Sequence, residues 1–327
     1  MIMKNIFSVL LLLGISVSLF GQPKDQEKER QRIAESNIKT ITQWTHRFSG
    51  DKPNPNGYKT SVTQYDRNGN PIEIVNYRSS GEISSRLLYK YNNQNLRTEY
   101  VMYQRIHRPE LEVSYKQSFH YNDKGLKTHE VVYDGQAGYR ITYEYYPDDN
   151  LKEIVKYGVG NRVDERWAYT YKDNIQEISI FKPDKVLSSR MRKEHDANWN
   201  LLRDIRLDDK GNEVKRIVNR YDDKNRLVET AEYYSGNLSK KQEFRYNNRD
   251  LVIEVIQHSP DGSSFIQSKY QYDTNGSLVE EQWSEGGAQE FSHKQSRYND
   301  EGNVLETDSY FAPYRYRVLY RYTYEYF

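Results

Sequence analysis

From about Asn37 almost to its end, the chain reads as β-structure, in runs of about eight to ten residues stopped by Asp, Asn, Ser or Gly. Alternating positions along such a run face opposite sides of a sheet. The stops are of two kinds. One is a recurring phrase, written YQYDTNGSLVE from Tyr270, YKYNNQNLRTE from Tyr89 and FRYNNRDLVIE from Phe244. Its second aromatic is an anchor at Tyr65, Tyr91, Tyr121, Tyr146, Tyr171, His195, Tyr221, Tyr246, Tyr272 and Tyr298, in steps of 24 to 26 residues with one of 30. Even spacing of this length marks a repeat architecture. Asp or Asn follows most anchors, and Gly, Asn or Asp stands four residues after them, Ile175 and Trp199 being the exceptions. Asp or Asn caps a type I turn, and Gly or Asn accepts the left-handed conformation that starts the next strand. The second kind of stop lies in mid-repeat, at Ser79-Ser80-Gly81, Asp208–Gly211, Ser235-Gly236 and Pro260-Asp261-Gly262. Two turns per repeat leave two strands, so each repeat is a β-hairpin. The expected fold is all-β, a repeat protein in which an antiparallel hairpin meander of roughly twenty strands forms a long twisted or coiled sheet.

Charged residues keep the same period. Glutamate stands eight residues after the anchor at Glu73, Glu99, Glu229, Glu254, Glu280 and Glu306, and a base stands five before it at Arg86, Lys116, Arg166, Arg190, Arg216 and Lys241. A two-residue turn at Ser79-Ser80 sets Glu73 opposite Arg86, giving an acid–base ladder that fixes register. Tyr77, Tyr103, Tyr157, Phe181, Tyr233 and Tyr310 share the glutamate face, and the Tyr-x-Tyr pairs form a further ladder. Two rival folds lack their signatures. A solenoid needs steady apolar positions around a dry interior, and a propeller needs repeats that alternate in type. An outer-membrane barrel is disfavoured because Arg321, Thr323 and Glu325 share the face of Phe327, where lipid requires apolar residues.

Composition suits a thin sheet with both faces near water. The hydrophobic fraction is 36%, mean hydropathy is −1.01, and 31 tyrosines outnumber 10 phenylalanines. Tyrosine tolerates a half-wet position, its ring packed and its hydroxyl hydrated. Residues 1–21 read as a secretory signal peptide, with Lys4 before an apolar run and small residues near Gly21. Residues 22–36 read as a charged tail or short helix, and 37–327 as the repeat domain. Without cysteine there is no lipid anchor, disulfide or thiolate site. The expected location is therefore secreted or periplasmic, and the mature chain is expected not to span a membrane. Net charge is +1 and falls to about zero without Lys4, which argues against nucleic acid as a partner.

The phrase Tyr270-x-Tyr-Asp-x-x-Gly-x-Leu resembles the YD repeat of Rhs and toxin-complex shell proteins and of teneurins, over about residues 58 to 312. The resemblance implies sheets that spiral into a hollow shell, and roles in cell-surface contact, carbohydrate binding or toxin encapsulation. Asn92, Asn122 and Asn247 depart from the family's Asp. About twenty strands at ~4.8 Å give a contour near 95 Å, too short for a closed cocoon.

Catalysis wants unique residues, whereas these acids and bases come in equivalent copies, so the chain is expected not to be an enzyme. No cofactor or metal is expected. The seven histidines lack close ligand spacing, and His120 and His129 meet across a turn as a structural pair. Candidate binding residues lie where the repeat breaks. They are Trp199, Trp167 and Trp283 as stacking platforms, and Arg105, His107 and Arg108 in the RIHRPE insertion. The function these observations support is a secreted, non-catalytic YD-like scaffold that binds a protein or glycan at the cell surface. The alternatives are a component of a toxin-delivery or immunity system and, with the Glu ladder supplying acids, a glycoside hydrolase.

Overall fold

The computed structural model describes residues 23–105, 109–284, 286–287 and 289–327. The signal peptide expected at 1–21 lies outside them, as do His107 and Arg108. Helix α1 (Pro23–Glu35) is followed by 23 strands, from Ile38–Ser49 to Tyr316–Tyr326, each antiparallel to its neighbours. The turns work through side chains. Asp66 Oδ1 accepts the backbone N–H of Asn68 and of Asn70, both at 2.9 Å, and Asn122 does the same for Lys124 and Leu126. Four residues after the anchors, Gly69, Asn95, Gly125 and Asn225 take positive φ. At Ile175 the turn is two residues long, Lys172 pairing directly with Ile175. In the fourth copy the structure moves the anchor by one residue. The strand Gly138–Tyr145 ends at Tyr145, and Tyr146 opens the turn.

Ile38–Ser49 decides the architecture. It pairs on one edge with Tyr58–Tyr65, Thr42 facing Val62, and on the other with Tyr316–Tyr326, Thr42 facing Thr323. The two-residue strand Lys52–Pro53 hangs from the end of Ile38–Ser49. The remaining 22 strands form a closed ring. The seam has a simple logic. Tyr324, 26 residues after Tyr298, is an eleventh anchor. Its strand lacks a following partner within the repeat series, and Ile38–Ser49 takes that place, Ile41 facing Tyr324 as Val304 faces Tyr298. The N-terminal strand thus completes the last hairpin.

Three expectations are corrected by this closure. The sheet is a barrel and not an open twisted or coiled ribbon, because its two ends satisfy each other's backbone groups. The secreted YD-like scaffold rested on a uniform, Tyr-rich repeat surface, and closure turns the anchor face of that surface inward. The expectation that the mature chain does not span a membrane goes with it, since closed antiparallel rings are the form in which strands cross a bilayer. Alternation of strand direction must match at the seam, and 22 strands satisfy that condition.

Strand spacing gives a ring about 105 Å round and, once tilted, roughly 40–47 Å across. The accessible surface is 21576 Å², where a compact protein of this mass exposes about 14,000 Å². A wall with two faces exposes more than a compact body of the same mass. A cavity lined by residues from eight consecutive strands identifies the concave face, which carries Ile41, Thr63, Ile74, Lys294, Thr307 and Tyr322. Register carries that face onward from Ile74 to Leu87, Met102 and Tyr115. The anchors lie on it too, Tyr65, Tyr298 and Tyr324 among the cavity's lining. From Tyr121 onward most anchor hydroxyls donate to a backbone carbonyl some twenty residues earlier. Tyr272 reaches Val252 at 2.9 Å, Tyr298 reaches Leu278 at 2.9 Å and Tyr324 reaches Val304 at 2.6 Å.

The acid–base ladder stands on the outer face. Glu99 lies 2.7 Å from Lys90 and 3.0 Å from Lys116, Glu229 lies between Arg220 and Lys241, and Glu306 between Arg297 and Arg321. Glu73 does meet Arg86, but diagonally, since Arg86 faces Val75. The turn between them, closed by Arg78 and Glu82, is longer than two residues and shifts the register. Small apolar residues, Val101, Val155 and Ala231, are buried beneath these long side chains.

Candidate functional site: the lumen

Helix α1 floors the lumen at the end where the anchor turns lie. Ile33 is fully buried there, Arg30 Nη1 donates to the Asn68 carbonyl at 2.6 Å, and Arg32 donates to Asn303 Oδ1. Gly69 permits this docking. A Cβ there would collide with the Arg30 carbonyl oxygen, and its φ of +78° suits glycine. Arg32 is also paired with Glu29, 2.6 Å away, and this hydrogen bond holds its guanidinium pKa above the usual value. The two side chains form a charged floor that is internally balanced.

Above this floor is a cavity of about 660 Å³. Its wall is mixed, polar at Gln43, Ser61, Gln267, Ser296 and Thr307 but with more apolar than polar surface, and it carries an aromatic cluster towards the far mouth. Trp283 and Phe311 meet edge to face at 6.0 Å, and Phe311 stacks on Tyr316 at 6.2 Å. Glu281 and Lys294 occupy facing positions on adjacent strands of this wall. A second, smaller recess of about 170 Å³ is lined on the same face by Ile217, Glu232, Lys240 and Gln242.

The candidates named from sequence scatter. Trp283 lies in the cavity wall. Trp167 is also luminal, facing Ile154, but on a distant strand. Trp199 sits at an anchor-end turn, 64% exposed, with φ of +62° and its ring 5.2 Å from that of His195. Arg105 is at the opposite end, 3.2 Å from Glu82. His120 and His129 stack at 4.0 Å on the outer face. Among the described residues, no three His, Asp or Glu side chains converge as metal ligands.

Sequence reasoning missed Glu281, Lys294 and Phe311. A signal existed for Lys294. Four residues before the anchor, the other copies carry neutral side chains such as Ser61, Leu87 and Ser268. Only knowledge of the inner face makes that position stand out.

No family model matches the chain. No curated protein matches it either. The YD resemblance therefore rests on the phrase itself. Among solved structures, a porin-like protein from Bacteroides uniformis ATCC 8492 aligns at 11% identity and a TM-score of 0.29, over 89% of this chain and 97% of its own. One from Bacteroides vulgatus ATCC 8482 aligns at 11% and 0.25, over 88% and 98%. The TcdB2-TccC3-Cdc42 structure aligns at 10% and 0.27 over 82% of this chain, which spans 18% of that chain's length. At these scores the likenesses carry no argument about activity or partners. The barrel is established by its own strand pairing.

Proposed function

We propose that the protein is a hollow β-barrel of the cell envelope that works through its lumen, admitting and holding small hydrophilic solutes. The observation that carries this reading is the cavity of about 660 Å³ inside the ring, floored by α1 and offering polar side chains among its apolar ones. The signal-peptide pattern of residues 1–21 supports export from the cytoplasm. Because the chain has no cysteine, single substitutions give a clean test. Ser296→Cys places a thiol in the cavity, and Ser118→Cys places one on the outer wall. A small hydrophilic thiosulfonate is expected to label both, and a polymer-sized maleimide only Ser118→Cys. An inert Ser296→Cys, or one as open to the polymer as the outer thiol, removes the reading.

Closure itself favours a second reading, a conduit across a bilayer, because a ring leaves no unpaired edge for lipid to meet. The outer wall sets a demand on it. Lipid-facing barrels carry an apolar band where this one carries glutamate–base pairs. Purified protein added to a planar bilayer is expected, on this reading, to give discrete conductance steps. A silent membrane rejects the conduit and leaves the luminal chamber intact.

A further inference from the structure

We propose that the chamber is a binding site for a small zwitterionic molecule bearing a flat apolar group, in chemical class an aromatic amino acid or short peptide. Lys294 receives its carboxylate, Glu281 its ammonium, and the Trp283–Phe311 pair its ring. The proposal rests on the luminal reading above and names what the lumen takes.

The inner face of the barrel holds its charges in two ways. Elsewhere on the inner face, acids satisfy neighbouring bases. Glu130 lies 3.1 Å from Lys127, Glu232 bonds Lys215, and Asp204 lies 3.9 Å from Lys193, its directly facing partner. Glu281 and Lys294 also face each other directly, on Leu278–Trp283 and Ser292–Tyr298. Yet among the described residues neither makes an ion pair or a hydrogen bond, and they interact only at longer range. An acid and a base held side by side, half-buried, with both ends free, present opposite charges to the same space. A lone anion would meet Glu281 as well as Lys294, and a lone cation the reverse. A ligand carrying both charges satisfies both groups and restores the hydrogen bonds lost on leaving water.

The neighbouring positions supply the rest. Trp283 is two residues beyond Glu281 on the same face, about 7 Å along the strand. Its edge-to-face partner Phe311 comes from two strands away, so the rings line one side of the cavity just past the charges. Ser309 faces Lys294 from the next strand and adds a hydroxyl to the same wall. A charged head at Glu281 and Lys294 and a flat body against Trp283 fit a molecule of amino-acid or dipeptide length. The charged floor does not compete for it, because Arg32 is already held by Glu29 and Asn303.

The test uses the full chain and three probes of one shape in calorimetric titration. L-Tryptophan carries both charges, indole-3-propionate lacks the ammonium, and tryptamine lacks the carboxylate. L-Tryptophan is expected to bind at least tenfold more tightly than either. Lys294→Met should erase its advantage over tryptamine, Glu281→Gln its advantage over indole-3-propionate, and Trp283→Ala should weaken all three probes. The ranking of the three probes on the unaltered protein stands even where a variant folds poorly. Equal binding of the three overturns the proposal, as does absence of binding while Ser296→Cys still reacts with the small reagent. If Ser296→Cys is also inert, the luminal reading itself has failed, and the two failures are thereby distinguished.

Discussion

The anchor tyrosine explains why the phrase recurs. Its ring lies on the luminal wall, and from Tyr121 onward its hydroxyl ties most anchored strands to a carbonyl some twenty residues earlier, as Tyr272 does to Val252 at 2.9 Å. The tie is lost in Tyr272→Phe, which should cost about 1 kcal/mol and lower the urea midpoint without changing the slope. The capping aspartates add a pH dependence. Asp196 and Asp208 are held below the usual carboxylate range first by the side-chain amides of Asn200 and Asn212, Asp222 by Arg226, and Asp273 by the Ser277 backbone. A depressed folded-state pKa stabilises above the unfolded value of about 3.9 and is lost as pH falls through the folded value. The urea midpoint should therefore be flat from neutral pH to about 5 and fall below about 4. Changing these four residues together to Asn, the residue that already caps at Asn92, Asn122 and Asn247, should shrink that fall. At this scale the sequence was readable. Turn chemistry and anchor spacing are local, and the structure altered them only at Tyr145 and in the diagonal meeting of Glu73 and Arg86.

Between residues and barrel stands the helix. α1 was legible as a charged segment, but its place was not. Its docking depends on a turn 38 residues away in sequence, where Arg30 meets the Asn68 carbonyl and Gly69 leaves room for its backbone. Gly69→Ala should expel the helix from that mouth. The expected sign is faster labelling of Ser296→Cys by the larger reagent, with the strand signal in circular dichroism unchanged. A strand signal lost together with the helix would mean that α1 is a structural keystone and not a removable floor. The ladder on the outer face behaves differently. Each pair is exposed enough to be worth ~0.2–1 kcal/mol, so its service is register.

Closure belongs to the whole molecule and had no local signal. A meander of identical hairpins reads the same whether its ends are apart or joined. What decides it is the strand Ile38–Ser49, which precedes the first anchor, together with Tyr316–Tyr326, whose anchor Tyr324 has the period of the others. The chamber was illegible for the same reason, since Glu281, Trp283 and Lys294 gain meaning only once one face is known to be inner. Removing residues 23–49 should free the edges of Tyr58–Tyr65 and Tyr316–Tyr326 at once. The shortened chain is expected to aggregate through those edges, as sedimentation would show, and a stable monomer would contradict the closed ring.

The seam also sets an order of events. Gln43 and its luminal partner Tyr322 are 279 residues apart, so the first strand to leave the ribosome or an export channel pairs early with Tyr58–Tyr65 but is the last to have both edges filled. Until the eleventh anchor emerges, every intermediate exposes a growing sheet with one unsatisfied margin at each end. Contacts of such long range form slowly. A chain built this way spends its youth vulnerable, and its yield in the cell is set less by how stable the finished ring is than by whatever shields those margins while it waits.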